Sequence, residues 1–344
     1  MAQPGRGAGA GGVVHGARMS ESLADVVASV LDNPGLRSKA EIGLVGEVLG
    51  AAPDWLGGPG DDGAVVEAAG TRVVACGEAV FPPFVAADPH GAGFAAVLTN
   101  VNDLAAMGAV PLGIVDTVVA SEAVARKVLE GMREACGLLD VPIIGGHLTI
   151  HDGPPAVSAF GVGHAPFPLS VTNAAPGQSL VVAAALDGAM RADFPFFPAF
   201  TARGQRCAGD VRLLAQLAAD GVCVASKDIS MAGLIGSLAM LLECDGLGVT
   251  VDLDAVPTPA GVPLTRWLNC FPSFGFLLCV PSGREQECLA AFAERDLAAA
   301  VVGELNGTGE LAVTTGGAIA TVMRMADFRV TGLPRTPPGS GAGR

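Results

Sequence analysis

Between residues 64 and 304 short apolar runs alternate with longer amphipathic ones, and that alternation restricts the chain to layered α and β structure. Residues 64–67 and 71–75 read as strands around a turn at Ala69-Gly70. Residues 91–107 read as helix, 110–119 as strand, 121–138 as helix and 156–164 as strand. The polar stretch SVTNAAPGQS, residues 170–179, breaks the pattern and is the expected domain boundary. Beyond it the pattern predicts a strand at 179–185, a helix around 210–219 and a strand–loop–helix at 222–243. Strands near 248–253 and 274–280, a helix at 284–295 and a strand at 298–304 complete the pattern. A chain of 344 residues, half of them hydrophobic, has length and apolar material for two domains. The expected division is 20–169 and 176–331.

The ends read differently. Residues 1–19, mostly Gly and Ala, and the Pro/Gly-rich residues 332–344 carry no hydrophobic period and are expected to be a disordered leader and tail. Met19 directly precedes SESLADVVASVL, where Ser20 or Ser22 can cap an amphipathic helix, so Met19 is a candidate start.

Charge and composition remove several classes of function. With 34 Asp+Glu against 20 Lys+Arg and only three lysines (Lys39, Lys127, Lys227), the chain has no footprint for a nucleic-acid backbone. No apolar run approaches the roughly 20 residues that span a bilayer, so no membrane role is expected. The eight cysteines are scattered without a CxxC, against a zinc knuckle or a redox pair. No basic region followed by an apolar stretch opens the chain, and a cytoplasmic, reducing location is expected.

Four short constellations can carry chemistry. In GGPGDDGAVV, residues 57–66, an open glycine loop presents Asp61 and Asp62 just before a strand. Adjacent carboxylates repel, and a divalent cation with oxygen ligands, Mg²⁺ above all, relieves that; a solvated turn is the alternative. In TNVNDLAAMGA, residues 99–109, Asn100 and Asp103 are spaced to share a helix face, which is either a site or simply a wet side. In IIGGHLTIH, residues 143–151, Gly145 and Gly146 allow a phosphate close to backbone N–H groups. His147 and His151 there are anion or ribose contacts, metal ligands or merely satisfied polar groups, with zinc disfavoured. In SKDISMAGLIG, residues 226–236, Asp228 or Ser230 can cap a helix, and Lys227 beside Asp228 makes either a phosphate–metal site or an ordinary cap with a surface lysine.

Other nucleotide signatures are missing: no GxxxxGK[ST], no GxGxxG after a strand, no GxSxG. Any use of ATP would rest on carboxylates and metals.

In this order and spacing, GDDGAVV, NVNDLAAMGA, GGHLT and KDISMAGL resemble the PurM-like superfamily of aminoimidazole ribonucleotide (AIR) synthetase, thiamine-monophosphate kinase, selenophosphate synthetase and the hydrogenase-maturation carbamoyl dehydratase. The segments KDISMAGLIG, DLDAVPTPAGV and WLNCFPSFGFLL are similar to its AIR synthase-related subgroup. The resemblance covers about Gly35 to Val330 and implies a two-domain α+β fold. An N-terminal α+β domain would form an intersubunit β-barrel in a homodimer, and a C-terminal α/β domain would close over ATP held through Mg²⁺. It further implies Asp61, Asp62, Asp103, Asp228 and Glu78 as metal ligands, and Asp62, Asp103 and Lys227 as catalytic residues. Gly60, Asn100, Gly145, Gly146, His147, Lys227 and Ser230 would contact the nucleotide. Departures are visible: Glu78 is the only acid where the kinases show "TD", His147 stands where they have Asp, and Met231 replaces the second acid of the family's "DxSDGG". Fewer carboxylates imply fewer or differently bound metals.

The implied reaction is transfer of the γ-phosphoryl of ATP to an oxygen of a small-molecule substrate, as in amide or carboxylate activation. A small-molecule kinase and a non-catalytic nucleotide-binding partner subunit are the alternatives. The cluster Phe194, Phe196, Phe197 and Phe200, broken by Pro195 and Pro198, reads as a buried strap between domains or a substrate lid.

Overall fold

The computed structural model describes residues 21–50, 58 and 60–333. The Gly/Ala leader, Ser20, Gly57, Pro59 and the tail from 334 onward lie outside the described residues.

An N-terminal arm of short helices comes first: α1 (Leu23–Leu31), α2 (Pro34–Arg37) and α3 (Gly43–Leu49), the last two joined by a 3-10 turn over Ser38–Ile42. Ser22 caps α1 by accepting from the Asp25 N–H, and Asn33 caps α2 ahead of Pro34.

The first sheet contains β1 (Ala64–Ala68), β2 (Thr71–Val80), β3 (Val110–Ala120), β4 (Ile143–Ile150) and β5 (Ala156–His164), in the order β1-β2-β5-β3-β4. Every neighbouring pair is antiparallel except β3–β4. That parallel pair needs a crossover, and a helix supplies it. Of the helices here, α4 (Pro82–Ala87), α5 (Pro89–Ala106) and α6 (Glu122–Leu139), the last is the crossover, and α5 packs on β2, β5 and β3. α5 and α6 touch through glycines. A Cβ on Gly93 would stand 2.0 Å from the Val128 carbonyl oxygen, and one on Gly131 would stand 2.0 Å from that of His90.

The second half supplies β6 (Ser179–Ala184), β7 (Phe196–Phe197), β8 (Ala225–Asp228), β9 (Gly248–Asp252), β10 (Phe271–Pro272), β11 (Gly275–Val280), β12 (Ala298–Asn306), β13 (Glu310–Thr315) and β14 (Ala318–Arg324). Seven of them form one sheet, β14-β13-β9-β12-β6-β11-β8, while β7 and β10 pair in parallel apart from it. Its helices are α7 (Phe200–Arg203), α8 (Arg206–Asp210), α9 (Leu213–Ala219), α10 (Gly233–Glu243), α11 (Leu264–Leu268) and α12 (Glu285–Ala293). The unbroken apolar runs of β6 and β11 lie in the core of this sheet, as strands covered on both faces do.

Several details differ from the sequence-based expectation. The helix around 210–219 is two pieces, α8 and α9, and the β13–β14 hairpin over Gly316-Gly317 was not expected at all. Neither Asp228 nor Ser230 caps α10. Ala232 holds that position without a side-chain bond, and Ser237 reaches back from inside the helix to accept from the Ser230 N–H at 3.0 Å. The phenylalanines form a strap: Phe200 packs on Phe94 of α5 (4.6 Å between centroids), Phe196 on Phe271 and the buried Phe197 on Trp267. Phe194 stays exposed.

Two features position the site. α5 lies between the first sheet and β8 and α9 of the second half, so its Asn102 and Asp103 are buried where the two halves meet. The arm packs on the second half, α1 against β14, α10 and α11, and α2 against α10. By contrast every residue of β4 is exposed, among them Ile143, Ile144, Leu148 and Ile150. No helix among the described residues is long and apolar enough to cross a membrane.

Candidate active site

The loop before β1 sends its adjacent carboxylates in different directions. Asp61 accepts from the Gly58 N–H (2.9 Å), the Ser170 hydroxyl (2.8 Å) and the Val171 N–H (2.7 Å), which fastens the loop to the connection between the two sheets. Burial raises the Asp61 carboxyl above its usual range, against the lowering effect of those bonds. Asp62 turns the other way. One oxygen accepts from Lys227 Nζ and the other from the Asp228 N–H at 3.0 Å. Gly60, at φ +106°, offers its carbonyl to Lys227 Nζ at 3.0 Å.

Lys227 and Asp228 end β8, and Asp103 comes from α5. Asp62, Asp103 and Asp228 each place a carboxylate oxygen within 4.8 Å of the other two. Burial is the leading influence on how Asp103 and Asp228 ionise. It lifts Asp103 well above the carboxylate range, helped by Asp228, Asp62 and Glu78. It pushes Asp228 up to about 8, with Asp62 adding to the rise and Lys227 and Lys39 opposing it. For Lys227 burial works downward, but Asp62 and Asp228 outweigh it and hold the ammonium charged. Glu78 stands on β2 with its residue exposed at the rim. The protein around its carboxyl raises it, Lys39 lowers it, and Asp62 and Lys227 act in opposite senses.

Three carboxylates converging with no nitrogen or sulfur among them make an oxygen-only donor set, which suits a hard divalent cation. The raised proton affinities of Asp103 and Asp228 point the same way: the site holds more negative charge than Lys227 neutralises. A proton or a metal ion supplies the difference.

The remaining candidates lie elsewhere. Asn100 is a buried strut between α5 and β5: its amide nitrogen donates to the Ala96 and Ala159 carbonyls (2.8 and 3.1 Å), and its oxygen accepts from the Gly161 N–H (2.9 Å). Gly145, Gly146 and His147 lie on β4, with β5 and β3 between them and β2. Gly146 shares a lateral row with Asp116, Ala159 and Glu78. At roughly 4.8 Å per strand, that row sets it about 14 Å from Glu78. A Cβ on Gly146 would meet an Asp116 carboxylate oxygen at 2.6 Å, so a negative charge, not an open anion cradle, lies beside it. His147 is exposed, 3.3 Å from Thr149 Oγ1. Ser230 is half-buried between β8 and α10. Lys227 is 2% exposed, which overturns the surface-lysine alternative.

Lys39 was missed. Its charge acts on both Glu78 and Asp228, yet it lies on the arm, far from any motif. Its rarity was the available signal, as one of three lysines.

Residues 60–165 match the AIR synthase related protein N-terminal domain and residues 200–316 its C-terminal domain. An uncharacterised protein of Synechocystis sp. is 36% identical over 224 residues, 64% of this chain and 70% of that protein. T. maritima PurL complexed with ATP has a similar fold, with a TM-score of 0.65 at 20% identity, covering 79% of this chain and 46% of PurL. The chain thus spans about half the length of that relative. AaThiL complexed with AMPPCP and TMP gives a TM-score of 0.63 at 18% identity, covering 79% of this chain and 92% of its own.

Proposed function

We propose that this chain, which belongs to the AIR synthase related family, is an ATP- and Mg²⁺-dependent enzyme that transfers the γ-phosphoryl group of ATP to an oxygen of a small substrate. The observation that carries this reading is the meeting of Asp62, Asp103 and Asp228, from a loop, a helix and a strand of both halves, within 4.8 Å. The similar folds of a PurL complexed with ATP and a ThiL complexed with AMPPCP and TMP support a nucleotide as ligand.

Asp62, Asp103 and Asp228 would hold Mg²⁺, with Glu78 at the rim. When bound, the ion supplies the positive charge that phosphoryl transfer requires, a reaction that depends chiefly on positioning and charge neutralisation. The chain's own groups prepare the site. Lys227 and the Asp228 N–H fix both oxygens of Asp62, so that carboxylate is oriented before any ligand arrives. Gly60 holds the Lys227 ammonium from the loop side. Lys227 is therefore a positioning residue.

A homodimer belongs to the same reading. The exposed apolar residues of β4, with Leu112 on β3 and Phe160 on β5, are a face that a second copy would cover. Eight scattered cysteines with no CxxC pair suit a reducing cytoplasm.

The test is titration of ATP into the purified protein with and without millimolar Mg²⁺, then a coupled assay across amides, carboxylates and alcohols. Binding that requires Mg²⁺ and is lost in Asp103→Asn is expected; no binding at any Mg²⁺ concentration overturns the reading. A phosphorylated product that accumulates assigns a kinase, and a condensed product with free phosphate assigns a synthetase.

A further inference from the structure

The turn end of the β1–β2 hairpin and the residues that close β5 border an open cleft of about 310 Å³, lined by Glu67, Gly70, Thr71, Arg72, His164 and Pro166. Arg72 and Glu78 are six residues apart on β2, about 20 Å of extended strand, so the cleft is separate from the acidic cluster.

Its groups carry opposite charges that do not cancel. Glu67 and Arg72 are cross-strand partners in the hairpin, an arrangement in which an acid and a base stabilise the sheet by pairing. Here they form no ion pair, and the Glu67 carboxylate has no hydrogen bond among the described residues. Arg72 is turned aside: its Nη1 donates to the Pro166 carbonyl at 3.3 Å, while the Ala165 N–H donates to the Arg72 carbonyl at 3.1 Å. Those bonds fix the residue in the cleft wall, and its Nε and Nη2 keep no partner among the described residues. On the neighbouring strand His164 Nε2 lies 3.0 Å from Thr71 Oγ1, which holds that hydroxyl in the same wall. The tip stays open at Gly70, where a Cβ would meet nothing within 4 Å.

We propose that this cleft binds a free amino acid, its carboxylate on the Arg72 guanidinium and the Thr71 hydroxyl and its ammonium on Glu67. A plain anion would be repelled by Glu67 and a plain cation by Arg72, so only a ligand with both charges complements both groups. The guanidinium suits its part because its planar fork takes a carboxylate through two parallel N–H bonds. The inference goes beyond the phosphoryl-transfer reading and stands without it.

Ligand-observed NMR of the full chain with the proteinogenic amino acids selects the strongest binder. Calorimetry then compares that amino acid with its methyl ester, which lacks the carboxylate, and with its deaminated acid, which lacks the ammonium. Both analogues are expected to bind wild type about tenfold more weakly or worse. Arg72→Gln and Glu67→Gln are each expected to lose about tenfold or more in amino-acid affinity, while ATP binding with Mg²⁺ stays within about twofold of wild type. Both residues are exposed, and thermal melts establish that the variants are folded. No amino acid bound by wild type, or unchanged affinity in both variants, overturns the proposal. So does a deaminated acid that binds as well as the amino acid with no loss in Glu67→Gln, the result of a plain anion site. Absence of ATP binding in wild type overturns the proposed function and leaves this inference standing.

Discussion

Lys227 and Asp62 form an ion pair at 3% and 6% side-chain exposure, where the halves of the molecule meet. A pair so enclosed contributes through geometry more than through net attraction, because both charges were taken from water. Removing one partner leaves the other buried and uncompensated. Lys227→Met is expected to lower stability by about 3–5 kcal/mol, and Lys227→Met with Asp62→Leu by clearly less than the sum of the two single changes. Urea unfolding of the four proteins measures this; strict additivity would mean that the pair is not coupled.

Asp103 gives the opposite sign. Its carboxyl is raised by burial and by Asp228, Asp62 and Glu78, so in the metal-free protein its charge is unfavourable. Asp103→Asn is expected to leave the metal-free melting temperature equal or higher while abolishing the upward shift that Mg²⁺ produces in wild type. A marked loss of metal-free stability would give Asp103 a structural role.

The same acids set a pH dependence. Asp228 holds its proton up to about 8 in the folded protein, whereas an unfolded aspartate releases it near 4. Between those values the folded state binds more protons, so stability falls as pH rises from about 4 to about 8. In chelator, wild type is expected to melt lower at pH 8 than at pH 6. Asp228→Asn should flatten that slope, and Mg²⁺ should raise the melting temperature more at the higher pH. A chelated wild type that melts higher at pH 8, with the same slope in Asp228→Asn, would remove Asp228 as the cause.

The strand–helix alternation gave most elements of both sheets because each is amphipathic or wholly apolar over its own length. The β13–β14 hairpin escaped, though its Gly316-Gly317 turn between alternating runs is a local signal of the same kind. The site was legible where chemistry and spacing coincide, at Asp62, Asp103 and Asp228. It was not legible in the choice between Asp61 and Asp62. Adjacent carboxylates look alike in sequence, and only the donors waiting at Ser170 and Val171 decide which one turns away. Asn100 misled for a related reason: a polar residue in a motif can be a strut, and its partners at Ala159 and Gly161 are tertiary. The docking of Gly35 at Met231 is a contact between distant parts of the chain that no local pattern encodes.

Helix packing offers a paired test within α5 and α6. Gly93 and Gly131 are where the two helices touch, each facing a carbonyl oxygen of the other at 2.0 Å from a would-be Cβ. Backbone cannot retreat as a side chain can, so Gly93→Ala and Gly131→Ala should each push the helices apart and cost about 1–3 kcal/mol. Displacing α5 also moves Asp103, so both variants should weaken Mg²⁺ binding without touching a ligand. Gly137 lies on α6 as well, but nothing stands within 4 Å of its would-be Cβ. There alanine only improves helix propensity, and Gly137→Ala should stabilise by about 0.5–1 kcal/mol with Mg²⁺ binding unchanged. Thermal melts and Mg²⁺ titrations of the three variants separate the cases, and destabilisation of similar size at all three positions would sink the account of close contact.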